Sequence, residues 1–79
     1  MNGKSESDQQ IEAMRENLRF LRETHGWTIE ELSKKSRIRV KVLHDMEGGR
    51  DFDIIYLIRL CKLYNIEPYK LFSGIIVSP

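Results

Sequence analysis

Apolar residues recur along most of this chain at spacings of three and four, the interval that returns to one face of an α-helix. Ile11, Met14, Leu18 and Leu21 form the first such stripe. Ser7 or Asp8 suits the cap at its start, and Gly26 fits the left-handed position just past an end near His25. Thr28 and Glu31 have capping-box spacing, and Leu32 is the inward residue of a short second helix running through Ser36. Arg37 to Arg39 interrupts it. Val42, Leu43 and Met46 then lie one turn apart in a third helix from about Arg39 to Glu47, closed by Gly48-Gly49. A loop leads to Asp53, the cap of a fourth helix with Ile54, Leu57, Cys61 and Tyr64 on one face and an end near Asn65. Pro68 suits the first turn of a fifth, short helix in which Tyr69, Leu71 and Phe72 close the core before Gly74. The pattern predicts an all-α, compact five-helix bundle in one domain over residues 9–73. Residues 1–8 are expected to form a disordered polar tail and residues 74–79 an apolar one.

Seventy-nine residues, 41% hydrophobic and 32% charged, suffice for one small core. The apolar runs fall far short of the ~20 residues of a membrane span, and the N-terminus does not read as a signal peptide, which predicts a cytoplasmic protein with no membrane partner. Cys61 is the single cysteine, and no zinc-type Cys and His spacing occurs, so neither disulfide nor metal is expected to support the fold. The net charge of +1 is unevenly placed. Residues 1–33 carry four basic and seven acidic side chains; residues 34–50 carry six basic (Lys34, Lys35, Arg37, Arg39, Lys41, Arg50) and two acidic; residues 51–79 balance. The positive segment either attracts a polyanion or is a solvated basic surface.

A longer helix, two short helices joined by a turn of about three residues, and two closing helices is the layout of a helix-turn-helix module. The residues Leu21-Arg22-Glu23-Thr24-His25-Gly26-Trp27-Thr28-Ile29-Glu30-Glu31-Leu32-Ser33, followed by Met46-Glu47-Gly48-Gly49-Arg50, resemble the Cro and phage-repressor (Xre-like) family of DNA-binding transcriptional regulators over roughly residues 11–72. The resemblance implies a partner, double-stranded DNA, a homodimeric state, and an ion pair between Arg22 and Glu47 that ties the first helix to the recognition helix. It makes the third helix that recognition helix, with Arg39, Val40, Lys41, His44 and Asp45 reading bases in the major groove. Arg39 and Lys41 suit guanine or phosphate, Val40 a thymine methyl, and Asp45 a cytosine amino group. Thr28, Ile29, Arg37 and Arg50 take positions of phosphate contacts. The chain departs from the family where Gln is common at Ile29, Gly at Arg37, and small polar residues across Arg39 to Val42.

The remaining candidates have plainer readings. Cys61 is expected to be a buried thiol, His25 a cation at a helix end, and Trp27 a core residue. No nucleophile–base pair, phosphate-cradling loop or paired acid points to an enzyme, a cofactor or a small-molecule substrate. The apolar tail either binds a partner or folds onto the first helix. A rival function is a protein-interaction module on the same scaffold, favoured by Ile29 and Asp45 and opposed by the basic segment.

Overall fold

A computed structural model describes residues 5–73, which form four α-helices and one 3-10 helix in an all-helical array. The helices are α1 (Glu6–Thr24), α2 (Ile29–Ser36), α3 (Val40–Gly48) and α4 (Ile54–Tyr64), followed by the 3-10 helix Pro68–Phe72. The expected fifth α-helix is therefore a 3-10 turn. Asn65 leaves α4 in the left-handed region, and Pro68 restarts the chain only five residues before Ser73 turns extended, too short a run to propagate α-helical bonds.

α1 begins earlier than the stripe suggested. Ser5 caps it by accepting from the Asp8 N–H at 3.1 Å, and Glu6 and Asp8 place negative charge in the first turn, so residues 6–8 belong to the helix and not to a tail. The apolar segment 74–79 lies outside the described residues. Arg39 is the extended cap of α3 and not its first helical residue.

All four α-helices are followed by a residue at positive φ: Gly26, Arg37, Gly49 and Asn65. After α1, Trp27 N–H reaches back to the Arg22 carbonyl at 3.1 Å, the bond that turns the chain sharply into α2. Arg37 is the unusual member of this set, because its φ of 61° puts a Cβ where glycine or asparagine is normally favoured. Neighbours hold it there. Ser33 Oγ donates to the Ile38 carbonyl at 2.6 Å, the Ile38 N–H donates to Ser36 Oγ at 3.2 Å, and Arg59 donates to the Arg37 carbonyl at 3.3 Å. Ile38 itself is 1% exposed, so the turn is pinned by a buried side chain as well as by hydrogen bonds.

The core is built from Met14 and Leu18 of α1, Ile29 and Leu32 of α2, Leu43 and Met46 of α3, Leu57, Leu60 and Cys61 of α4, and Leu71. α1 packs on α3 and on the 3-10 helix, while α2 packs on α3 and α4. Asn17 is wholly buried and donates from Nδ2 to the Leu71 carbonyl at 2.8 Å, which closes the 3-10 helix onto α1. Three residues expected inside are not. Ile11 is 42% exposed because α1 runs past the end of α3, where Gly48 and Gly49 offer no side chain to cover it. Ile54, in the first turn of α4, is 61% exposed and Tyr69 is 68% exposed. Leu60 fills the inner face of α4 instead.

The left-handed turn yields a stability prediction. Arg37→Gly is expected to raise the thermal midpoint by the equivalent of roughly 0.5–1 kcal/mol, the ~1–2 kcal/mol of left-handed crowding less the conformational freedom that glycine loses on folding. A midpoint equal to or below the parent's in a circular-dichroism melt would show that the turn is unstrained.

Candidate nucleic-acid interface

The position of α3 is set by two arginines of α1 seven residues apart, hence on one helical face. Arg22 makes a bidentate pair with Glu47, Nε to Oε2 at 2.8 Å and Nη2 to Oε1 at 3.0 Å, and its Nη1 donates to the Trp27 carbonyl at 2.9 Å. Both side chains are mostly covered, at 15% and 12% exposure. The hydrogen bond to Glu47 outweighs desolvation and raises the Arg22 pKa further above its ordinary value, so the guanidinium stays charged.

Arg15 is the residue that sequence reasoning missed. Its Nη1 donates to the carbonyls of Asp45 at 2.9 Å and Met46 at 2.7 Å, and its Nη2 donates to Arg50 at 3.2 Å. These are carbonyls at the C-terminal end of α3 and just beyond it, where α3 has no basic residue of its own. Its guanidinium carbon also lies 5.9 Å from the centre of the Phe52 ring. The available signal was the seven-residue interval between Arg15 and Arg22, which puts both on the side of α1 that meets α3.

The opposite end of α3 is open. Arg39 at the cap makes no side-chain capping bond, and no acidic residue occupies the first turn. By contrast Ser5, Thr28 and Asp53 cap the other α-helices with side-chain oxygens. The first N–H groups of α3 are thus flanked by the cations Arg39 and Lys41, an arrangement that favours an anion.

Lys41, His44 and Gly48 are exposed on the outer face of α3, with Asp45 beside them. Lys41 Nζ lies 2.9 Å from Asp45 Oδ2, with side-chain exposures of 82% and 17%. The negative charge of Asp45 is therefore balanced within its own helix. Val40 is half-buried and packs against the core, so it is less outward than the helical stripe implied. Arg37, Arg39 and Arg50 are exposed around the two ends of α3.

The α2 positions turn out differently. Thr28 and Glu31 form the full capping box: Thr28 Oγ1 accepts from Glu31 N–H at 3.0 Å, and Thr28 N–H donates to Glu31 Oε1 at 2.8 Å. The carboxylate thus already occupies the place a phosphate would take at Thr28. Ile29 is a core residue at 9% exposure, its side chain in the first turn of α2 packed under the helix. Only backbone remains to meet a ligand there.

Trp27 packs against the core beside Tyr64, ring centres 6.0 Å apart, with His25 4.5 Å from Trp27 on its exposed side. His25 Nδ1 lies 2.8 Å from the Leu21 carbonyl at the end of α1. Cys61 is buried, and desolvation raises its thiol pKa. Among the described residues no cluster of His, Cys, Asp and Glu could hold a metal ion, and no helix is long and apolar enough to cross a membrane.

A helix-turn-helix family model matches residues 18–71, which include α2, the pinned turn and α3. The chain belongs to the helix-turn-helix family of the Cro and phage-repressor type. Members of this family are DNA-binding regulators. No curated protein and no solved structure matches the chain. In this helix-turn-helix domain the Arg22–Glu47 pair joins the N-terminal helix to the end of the second helix of the motif.

Two outcomes test this frame. Glu47→Gln should cost about 2 kcal/mol in chemical denaturation, between the ~0–1 of an exposed pair and the ~3–5 of a fully buried one. Arg15→Met should cost a further amount, and amide hydrogen exchange in α3 should speed up before that in α4; equal acceleration in both helices would refute the role given to Arg15. The second outcome concerns Tyr64, whose buried hydroxyl has no hydrogen-bond partner among the described residues. Burial first, and the Glu47 carboxylate second, push its phenol well above the usual tyrosine range. The folded state then holds this proton more tightly than the unfolded chain does, so the contribution is complete below about pH 10 and is lost as pH rises towards the folded value. Tyr64→Phe should leave neutral-pH stability nearly unchanged and flatten the loss above pH 10; an identical alkaline slope in the two proteins would exclude Tyr64 as its source.

Proposed function

We propose that this protein is a sequence-specific regulator of transcription that binds duplex DNA, as a homodimer, by placing α3 in the major groove. The observation that carries the reading is the electrostatic polarity of α3. Its C-terminal end is neutralised by Arg15 and its N-terminal end is left uncapped beside Arg39 and Lys41. A negatively charged backbone is attracted to the second end and not the first.

Each residue then has a physical role. Lys41 and His44, on the outer face, are closest to base edges, and Arg39 reaches either a base or the flanking phosphate. Asp45 accepts from a cytosine amino group when Lys41 moves to its own acceptor. Val40 offers only the exposed part of its side chain to a thymine methyl. Arg37 and Arg50 hold phosphates on either side, while Thr28 and the Ile29 backbone can do so only in competition with Glu31. A two-fold dimer would present two copies of α3 to successive major grooves about 34–36 Å apart. Such a protein works wherever DNA is reached directly, in the cytoplasm.

The rival reading, a protein-interaction module, drew on Ile29 and Asp45. Ile29 is in the core and Asp45 is paired, so neither supplies a surface for another protein. Gel-shift titration with DNA flanking the protein's own gene tests the proposal. Affinity should fall steeply with salt, and Lys41→Ala and Arg50→Ala should each weaken binding with melting unchanged, Arg50→Ala reducing the salt slope by about one unit. Binding independent of salt, or full affinity in both variants, would reject it.

A further inference from the structure

Arginines from three elements come together at the turn between α2 and α3. Arg37 ends α2 and Arg39 caps α3, on either side of the buried Ile38. Arg59 belongs to α4, twenty-two positions beyond Arg37, yet its Nη1 donates to the Arg37 carbonyl at 3.3 Å. Arg22 is paired with Glu47, Lys41 with Asp45, and Arg15 is committed to main-chain carbonyls. Among the described residues, by contrast, no carboxylate lies within ion-pair distance of Arg37, Arg39 or Arg59. The turn therefore carries positive charge that the fold does not balance, beside the uncapped first N–H groups of α3.

Arg59 is held in place there. Its guanidinium carbon lies 5.9 Å from the centre of the Tyr56 ring, one turn earlier on the same helix, and the Arg37 carbonyl takes one of its donors. A guanidinium has five N–H groups, and among the described residues Arg59 makes no other hydrogen bond, although the residue is exposed. A lysine, a glutamine or a water molecule would serve the carbonyl as well. What arginine adds is a planar set of outward donors, a shape that fits two oxygens of one phosphate. A side chain already fixed by a ring and a carbonyl also loses little freedom when it binds.

We propose that Arg59 is a phosphate-binding residue which, with Arg37, holds one backbone phosphate of the duplex beside the first turn of α3. The inference rests on the DNA-binding reading and adds to it a contact from α4, outside the two helices of the motif. The phosphate sits at the end of α3 to which the helix dipole and Arg39 already draw an anion. A contact of this kind carries no sequence information. It supplies affinity and fixes the angle at which α3 enters the groove, because its two cations stand on separate elements.

The test is a salt titration of duplex binding by the full chain, using DNA flanking its own gene, with an NMR titration of the Arg59 Nε–H by inorganic phosphate at fixed ionic strength as the parallel measurement. Arg59→Gln, which keeps a donor for the Arg37 carbonyl, should weaken duplex binding at least threefold at low salt and reduce the salt slope by about one unit. Arg59→Lys should weaken binding less and keep the slope. Lys62→Gln, which removes a charge elsewhere on α4, should leave affinity within twofold of the parent's. In the parent the Nε–H signal should shift saturably with phosphate. A salt slope in Arg59→Gln equal to the parent's, or a loss in Lys62→Gln as large as that in Arg59→Gln, overturns the proposal and leaves the DNA-binding reading in place. A parent that binds no duplex yet shows the saturable shift keeps the phosphate site and removes the regulatory reading; a parent that shows neither overturns both.

Discussion

The grip of α1 on the C-terminal end of α3 is the constraint on which the rest of the domain depends. α3 has nine residues, too few to be stable as an isolated helix in water, and its inner face offers only Leu43 and Met46 to full burial. Packing alone would hold it against the core and leave it free to rock about that short apolar seam. Two guanidinium groups remove the freedom. Arg22 fixes a carboxylate through two parallel bonds, which sets direction as well as distance, and Arg15 fixes main-chain carbonyls that cannot move without moving the helix. The third donor of Arg22, on the Trp27 carbonyl, brings the connection to α2 into the same frame.

The same contacts decide the polarity of the surface. A helix ordinarily meets its own end charges, acid at the start and base at the finish, as α1 does with Glu6, Asp8 and Arg22. α3 has neither. Its finish is served from another helix and its start is served by nothing, so the positive end of its dipole adds to Arg39 and Lys41 where solvent can reach them. α2 is the reverse case. Its start is closed by Thr28 and Glu31 and its last turn carries Lys34 and Lys35, so it is electrostatically complete and can act as a rigid support.

Much of this was legible from periodicity. Three stripes place α1, α3 and α4, and the Thr28–Glu31 capping box and the Asp53 cap mark the starts of α2 and α4 to the residue. What a stripe cannot encode is how far the neighbouring element extends. Ile11 and Ile54 have the right phase, yet Ile11 sits beside Gly48 and Gly49, which offer no side chain to cover it, and Ile54, in the first turn of α4, is exposed. Ile38 shows the converse, an apolar residue in a turn that periodicity passes over and the core takes in. Long polar side chains were the other blind spot. Arg15 and Asn17 act on backbone carbonyls thirty or more positions away, and a carbonyl leaves no mark in a sequence. The partner of Arg22 could be named beforehand only because the family resemblance supplied it.

The departures from the family pattern also look different once the fold is known. Arg37 occupies a left-handed position that glycine would fill without strain, so what the chain gains there is a cation at the mouth of the motif. Asp45 occupies a face that meets DNA on the proposed reading, yet its carboxylate is mostly covered and is bonded to a lysine that is almost wholly in solvent. A pair of this kind is worth only a few tenths of a kcal/mol, so Lys41 leaves it at little cost, but the acid it leaves behind then needs another donor. A phosphate cannot provide one, whereas the amino edge of a cytosine can. On the proposed reading, an acid that looks mismatched to a polyanion and the lysine beside it together offer an acceptor and a donor to a base-pair edge, which would be a basis for choosing among sequences instead of only adhering to them.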